Sequence, residues 1–282
     1  MRQLILEKQN IKNGLIIIEG KDFRYLRQVL RVRVGDMLNV RLPDGALENS
    51  TVAQVDDKSK KITLQICAKT DSGAGNATAD SITRGVQATE IENSVLSQNG
   101  VEYWLFQFLP KPQKFELIVR QATECGVSKI IPIIGEYTEK SSVYALQGNK
   151  KERIERIIKE ARQQSGSPID TRVVAPVSLE EALEMWADAK GQCPKESALG
   201  FVLSERDDCS NNLHKVIEER KSKNIKIEKI GIGVGSEGGL SPEEVTILQE
   251  KGLFYPIHFA VNILRCETAA LYGIAAVQSA VN

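Results

Sequence analysis

Gly231-Ile232-Gly233-Val234-Gly235-Ser236-Glu237-Gly238-Gly239-Leu240-Ser241-Pro242 is the stretch on which the reading of this chain turns. An apolar run passes directly into a glycine turn. The turn passes into a helix start, with Ser241 as N-cap, Pro242 at the first helical position and Glu244 three residues after the cap. The segment therefore reads as buried strand, tight turn and capped helix. Glycines let backbone N–H groups come close to a ligand, and a helix start favours electron-rich groups, so the turn is a candidate cofactor cradle. Gly233, Gly235 and Gly238 also satisfy G-x-G-x-x-G. A dinucleotide fold, however, opens with that motif and ends its next strand on an acidic residue. Here one strand at most, Phe254 to Phe259, follows, and no acidic residue ends it. A structural tight turn is the other reading the glycines allow.

Upstream, apolar runs at Val101 to Phe108, Lys129 to Ile134, Arg172 to Ala175, Ala198 to Leu203 and Ile227 to Val234 are each followed by helical periodicity. That alternation predicts an α/β domain with a mostly parallel sheet. Ser178 with Glu181 is a second capping box. Gly126 is expected to end the helix holding Phe115, Ile118, Val119 and Ala122, and Gly252 the one begun at Pro242. Downstream, Asn262-Ile263-Leu264-Arg265-Cys266-Glu267-Thr268 leads into a helix rich in small residues: Ala269, Ala270, Gly273, Ala275, Ala276 and Ala280. Such a helix suits a deep core position or a contact with a second subunit. Arg265 and Glu267 form either an ion pair or a working site.

Residues 1–70 read differently. Short β-rich runs at Leu15 to Ile18, Met37 to Leu42, Thr51 to Val55 and Ile62 to Ile66 are separated by turn signals such as Asn13-Gly14 and Asp44-Gly45, which predicts a small β-barrel. A helical stretch, Asp22 to Leu30, interrupts it, with Phe23, Leu26, Val29 and Leu30 on one face and Arg24, Arg27 and Arg31 free for an outside partner. This part carries 13 Lys+Arg against 8 Asp+Glu, and residues 71–282 carry 24 against 29, so a chain of zero net charge has a basic front. An anionic partner or an ordinary solvated basic face would both produce that asymmetry. Between them, residues 71–100 draw 18 of 30 positions from Gly, Ala, Ser, Thr and Asn. So little apolar surface does not offset ordering entropy, and the segment reads as a flexible linker or insertion in which Val86 to Ile91 could pair as a strand.

The 282 residues, 41% hydrophobic and 26% charged, are enough for a real core and exclude fibrous or wholly disordered classes. No window holds eighteen consecutive apolar residues, and Arg2 and Glu7 bracket too short an apolar run for a signal core, so a cytoplasmic protein with no membrane partner is expected. Five scattered cysteines without a C-x-x-C pair argue against a disulfide framework and a structural zinc. Only His214 and His258 are available as imidazole ligands, so no metal site is expected.

Taken together, G-S-E-G-G-L-S-P-E-E-V and N-I-L-R-C-E-T-A-A resemble the motifs of the 16S rRNA (uracil-N3)-methyltransferase family of the SPOUT superfamily, roughly G-P-E-G-G-x-S-x-x-E and L-G-x-x-I-L-R-x-E-T-A. The resemblance extends to Leu26 to Asp36, to Lys114 to Val127 and to Gln164-Ser165-Gly166, and covers nearly the whole chain apart from 71–100. Departures are Ser236 for proline, Phe259-Ala260 for L-G, Asn262 for arginine, Cys266 for threonine, Ser167 for an arginine and Lys140 for another.

The resemblance implies a PUA-like RNA-binding β-barrel over 1–70 and a methyltransferase domain over 101–282 whose backbone forms a trefoil knot. It implies S-adenosylmethionine as cofactor, held by Leu203, by Gly235, Ser236, Glu237, Gly238 and Gly239, and by Ile257, Leu264 and Thr268. It further implies a homodimer acting on 16S rRNA, in the small ribosomal subunit. Arg265 is then the catalytic cation, and Glu267 either orients it or takes a proton. Arg24, Arg27, Arg31, Arg33 and Lys114 are assigned to RNA. The alternative is a non-catalytic RNA-binding or ribosome-assembly protein that keeps the fold.

Overall fold

The computed structural model describes residues 3–6, 11–67, 100–144, 146, 150–204 and 212–282. The chain divides into two compact units, residues 1–94 and 95–282. Most of the low-complexity stretch, including the possible strand Val86 to Ile91, lies outside the described residues.

The first unit is one mixed sheet curled over a small core. Its strands are β1 (Gln3–Ile5), β2 (Ile11–Lys12), β3 (Leu15–Ile18), β4 (Met37–Arg41), β5 (Leu47–Asp56) and β6 (Lys61–Ile66). They lie in the order β1-β4-β5-β6-β3-β2, with β1 parallel to β4 and the other pairs antiparallel. β1 and β2 are the two edges, so among the described residues the expected barrel is a half-barrel that does not close. Alternation puts Ile16, Ile18, Val40, Val52, Ile62 and Leu64 on the concave face, where Phe23 and Leu26 cover them.

The expected helix at Asp22 to Leu30 is really two pieces, α1 (Gly20–Arg24) and a π-turn at Tyr25–Val29. The wider π-turn breaks the 3.6-residue period, so Phe23 and Leu26 stay buried while Val29 is carried to the surface, 62% exposed. Arg27 is likewise not free: its guanidinium pairs with Asp57 at 2.7 Å and donates to the Val32 carbonyl at 3.0 Å. Arg24, Arg31 and Arg33 are exposed.

The second unit alternates strand and helix: β7 (Glu102–Phe108), α2 (Pro112–Glu124), β8 (Lys129–Ile133), α3 (Lys140–Tyr144), α4 (Lys150–Ser165), β9 (Arg172–Val173), α5 (Leu179–Gly191), β10 (Ala198–Leu203), α6 (Leu213–Ser222), β11 (Lys229–Val234), α7 (Pro242–Glu250), β12 (Phe254–Ile257) and α8 (Cys266–Val281). Among the described residues its six strands are all parallel, ordered β12-β10-β11-β7-β8-β9. One core is built from α2, α4 and α8 residues such as Phe115, Ile157 and Ile274, packed with Leu105, Phe201 and Ile232. A second core is aromatic. Phe106 meets Trp186 and Phe254 edge to face, at ring separations of 5.6 and 5.2 Å.

That aromatic cluster explains the glycines of β10 and β11. A Cβ at Gly231 would come within 3.0 Å of Phe106, and one at Gly200 within 2.8 Å of Phe254. Both capping boxes are present as expected, Ser178 with Glu181 and Ser241 with Glu244. Gly126 ends α2 with φ +77°, but at the end of α7 it is Leu253 that takes the left-handed conformation, φ 59°. Gly252 is needed there for space: a Cβ would sit 2.7 Å from the Leu248 carbonyl oxygen.

Candidate functional site

In open parallel sheets ligands bind beyond the carboxyl ends of the strands. A cavity of about 220 Å³ lies there in this protein, enclosed by the loops that leave β10, β11 and β12 and by the head of α8. Leu203 and Ser204 form one wall, Val234 to Glu237 with Gly239 and Leu240 a second, and His258, Phe259 and residues 261–266 a third. The lining is largely apolar, with Lys114, Glu237 and Arg265 as its charged members. His258 ties two of the loops together, its Nδ1 lying 3.2 Å from the Ser204 carbonyl oxygen.

The glycine turn is shaped by backbone against backbone. Gly235 faces Gly239 so closely that a Cβ on Gly235 would come 2.7 Å from the Gly239 carbonyl carbon, while Gly239 holds φ +76°. Gly238 is outward-facing and a Cβ there would meet Tyr137 at 2.9 Å, so its bareness serves the neighbouring loop rather than the cavity. Behind the turn, the buried Gln107 amide donates to the carbonyls of Val234 (3.3 Å) and Gly235 (3.0 Å). Its position inside the apolar β7 run is the only sequence signal it offers, a polar residue where burial demands partners. Glu244 is a further anchor: besides closing its capping box it accepts the Glu136 N–H at 2.7 Å.

Of the residues expected to hold a cofactor, Leu203, Gly235, Ser236, Glu237, Gly239 and Leu264 line the cavity. Gly238, Ile257 and Thr268 do not. Ile257 is buried in the core, 1% exposed, and Thr268 faces solvent. Arg265 lines the cavity from the N-cap position of α8. Glu267 is not among the residues that line it, and its ion-pair partner is not Arg265. Glu267 pairs with Lys114 at 3.4 Å, and Lys114 also approaches Glu237 at 3.5 Å. Lys114, assigned from sequence to RNA, is thus a group of this site. Glu237 is the helix-end carboxylate of α2: it accepts the Lys111 N–H at 3.1 Å, at the positive end of the helix dipole.

Electrostatics follow from these contacts. Burial works to raise the Glu267 carboxyl, but its own backbone N–H, the Cys266 thiol and the Lys114 ammonium together hold it below the usual carboxylate range. Burial also opposes the charge on Lys114, and the Glu237 and Glu267 carboxylates oppose that effect, so the ammonium is held above its ordinary value. Cys266, buried and donating to Glu267 at 3.3 Å, is pushed up to about 12. It is a packing and donor group, not a nucleophile. Ser167 and the Ser165-Gly166 pair lie elsewhere, lining a second cavity with Cys125 and Gln278. Among the described residues no group of three or more His, Cys, Asp or Glu side chains is placed to hold a metal. No described helix is long and apolar enough to cross a membrane.

Fold and site together define an α/β protein with a ligand pocket at the ends of its central strands, and the model of the RNA methyltransferase domain matches residues 97–278, placing the chain in that class. More closely, it is similar to proteins named ribosomal RNA small subunit methyltransferase E. It is 25% identical over 276 residues to ribosomal RNA small subunit methyltransferase E 2 of Borreliella burgdorferi, covering 98% of this chain and 96% of that protein. It is 33% identical over 156 residues to ribosomal RNA small subunit methyltransferase E of Aquifex aeolicus, covering 55% of this chain and 58% of the relative. The fold matches the crystal structure of a ribosomal RNA small subunit methyltransferase E from Neisseria gonorrhoeae bound to S-adenosyl methionine, with TM-score 0.69 at 21% identity over 99% of this chain and 97% of that one.

Proposed function

We propose that this protein transfers a methyl group from S-adenosylmethionine to N3 of a uridine in 16S rRNA of the small ribosomal subunit, and that it works as a homodimer. The observation that carries the reading is the cavity at the strand ends, with Arg265 on its wall and the close Gly235–Gly239 approach at its floor. The residues present suit the cofactor. An apolar wall of Leu203, Val234, Leu240 and Leu264 matches its uncharged parts, and the bare backbone at Gly235 leaves room that any side chain would fill. When bound, the cofactor supplies an electrophilic methyl group on a sulfonium.

The chain's own residues supply position and charge. Uracil N3 loses its proton to solvent, which leaves negative charge spread over the base, and then bonds to the methyl carbon as that carbon's bond to sulfur breaks. Arg265, a permanent cation on the cavity wall, stabilises that charge as it develops. Glu267 is held ionised and points at Lys114, which suits an electrostatic partner better than a proton acceptor. Cys266 keeps its proton and so does not compete for the methyl group. The exposed Arg24, Arg31 and Arg33 of the first unit suit RNA phosphate.

Tritiated S-adenosylmethionine, small subunits lacking the modification and mapping of the labelled base test the reading. Label on N3 of a single 16S uridine supports it. Tight cofactor binding and RNA binding with no transfer to any small-subunit substrate would leave the non-catalytic alternative standing.

A further inference from the structure

Resting on the function proposed above, we infer that Lys114 is a positioning residue of the cavity rather than a ligand of RNA phosphate: its ammonium, shared by Glu237 and Glu267, ties the glycine turn to the head of α8 and so fixes the point from which Arg265 faces the cavity. Three elements meet at this one group. α2 supplies Lys114 from its first turn, the glycine turn supplies Glu237 at 3.5 Å, and α8 supplies Glu267 at 3.4 Å. Glu237 is further tied to α2 through the Lys111 N–H at 3.1 Å. The side chains of Lys114 and Glu267 are 29% and 16% exposed, so water screens the pair only partly.

The link from Lys114 to Arg265 is short. Glu267 sits in the first turn of α8, and Arg265 is that helix's N-cap, with its carbonyl accepting the Ala269 N–H at 2.7 Å. Whatever fixes Glu267 fixes the N-cap two residues before it. A lysine already shared by two carboxylates has little left to offer an external phosphate, and Lys114 lines the cavity while Glu267 does not. The groups that act on Glu267 are Lys114 from α2 and, at the head of α8, the Cys266 thiol and its own backbone N–H, while Glu237 from the turn meets the same Lys114; Lys111 is directed instead to Glu139 at 3.3 Å. Of these, Lys114 is the cation in contact with Glu267.

The test has one readout that needs neither cofactor nor RNA. With glutamate ¹³C-labelled at the carboxyl and Glu267→Gln used for assignment, Lys114→Met in the full chain should move the Glu267 titration upward by about one pH unit, the usual scale for losing an opposite charge at this distance. Lys114→Arg should restore it. Single-turnover methyl transfer should fall about tenfold or more in Lys114→Met and recover in Lys114→Arg, with the salt dependence of RNA binding unchanged. Should Lys114→Met not fold, Lys114→Gln carries the same measurement. An unmoved Glu267 titration, or an RNA salt slope flattened by about one in Lys114→Met, overturns the inference. If the wild-type chain transfers no methyl group, the proposed function falls, while the titration still decides the role of Lys114.

Discussion

Cys266 illustrates how far a single residue can be read. Its position beside Arg265 and Glu267 is plain in the sequence, but whether it is a nucleophile is set by burial and by the Glu267 carboxylate, which sequence does not show. Because the folded-state value is raised to about 12, the native thiol keeps its proton where an exposed thiol, with a value near 8.5, has already lost it. The sign is therefore fixed: this group contributes its full stability below the ordinary thiol range, and loses it as pH rises towards 12. We predict that iodoacetamide at pH 9 alkylates Cys266 only on unfolding; rapid native-state labelling, read by mass spectrometry, would refute this. Glycines divide in the same way. Gly191 has open space around its Cβ position and no positive φ, so Gly191→Ala in α5 should stabilise by about 0.5–1 kcal/mol in a urea titration. Gly273 is the opposite case. A Cβ there would lie 2.5 Å from Leu203 Cδ1, so Gly273 packs α8 against β10 and is not a probe of a subunit contact.

Elements whose signals are local were legible, and those that depend on distant partners were not. Both capping boxes are spelled out within four residues, and both form. The edge strands β1 and β2 have only three and two residues, and exist because β4 and β3 lie beside them. The π-turn after α1 has no counterpart in helical periodicity, which is why Val29 was expected inside. The two capping boxes also differ in a way the sequence hides. Glu181 only closes its box, whereas Glu244 is buried, 8% exposed, and also holds the loop after β8 through Glu136. Glu181→Ala should then cost about 0.5–1 kcal/mol and Glu244→Ala roughly 2–3 kcal/mol. Equal losses in paired urea titrations would show that the Glu136 contact contributes nothing.

At the scale of the whole molecule, the glycine turn and the N-I-L-R segment were enough to reach the family, because a motif carries its chemistry within a few consecutive residues. They did not reveal which members touch the cavity: Gly238 and Thr268 are in the motifs and outside it, and Gln107 holds the turn from outside any motif. The same holds for the arginines of the first unit. Since Arg27 is already paired with Asp57, replacing Arg24 and Arg31 together should flatten the salt dependence of RNA binding by roughly one to two, and Arg27→Gln should flatten it much less. An equal effect from Arg27→Gln would mean that its pair opens for RNA. For the proposed dimer, the face to probe is the exposed line of Thr268, Tyr272 and Ala275 on α8. Ala275→Arg should shift sedimentation at micromolar concentration from dimer to monomer while leaving the thermal midpoint within a few degrees; a dimer unaffected by it would place the contact elsewhere.

The cavity beyond β10, β11 and β12 is the proposed cofactor site. Calorimetric titration of S-adenosylmethionine into the full chain and into Gly235→Ala decides the assignment. One molecule should bind per chain at roughly micromolar affinity, weakened at least tenfold in a Gly235→Ala protein that retains its folded far-ultraviolet spectrum, since the added Cβ would come 2.7 Å from Gly239. Binding of equal strength to the wild-type chain and to folded Gly235→Ala, or no binding to the wild-type chain at all, would contradict it.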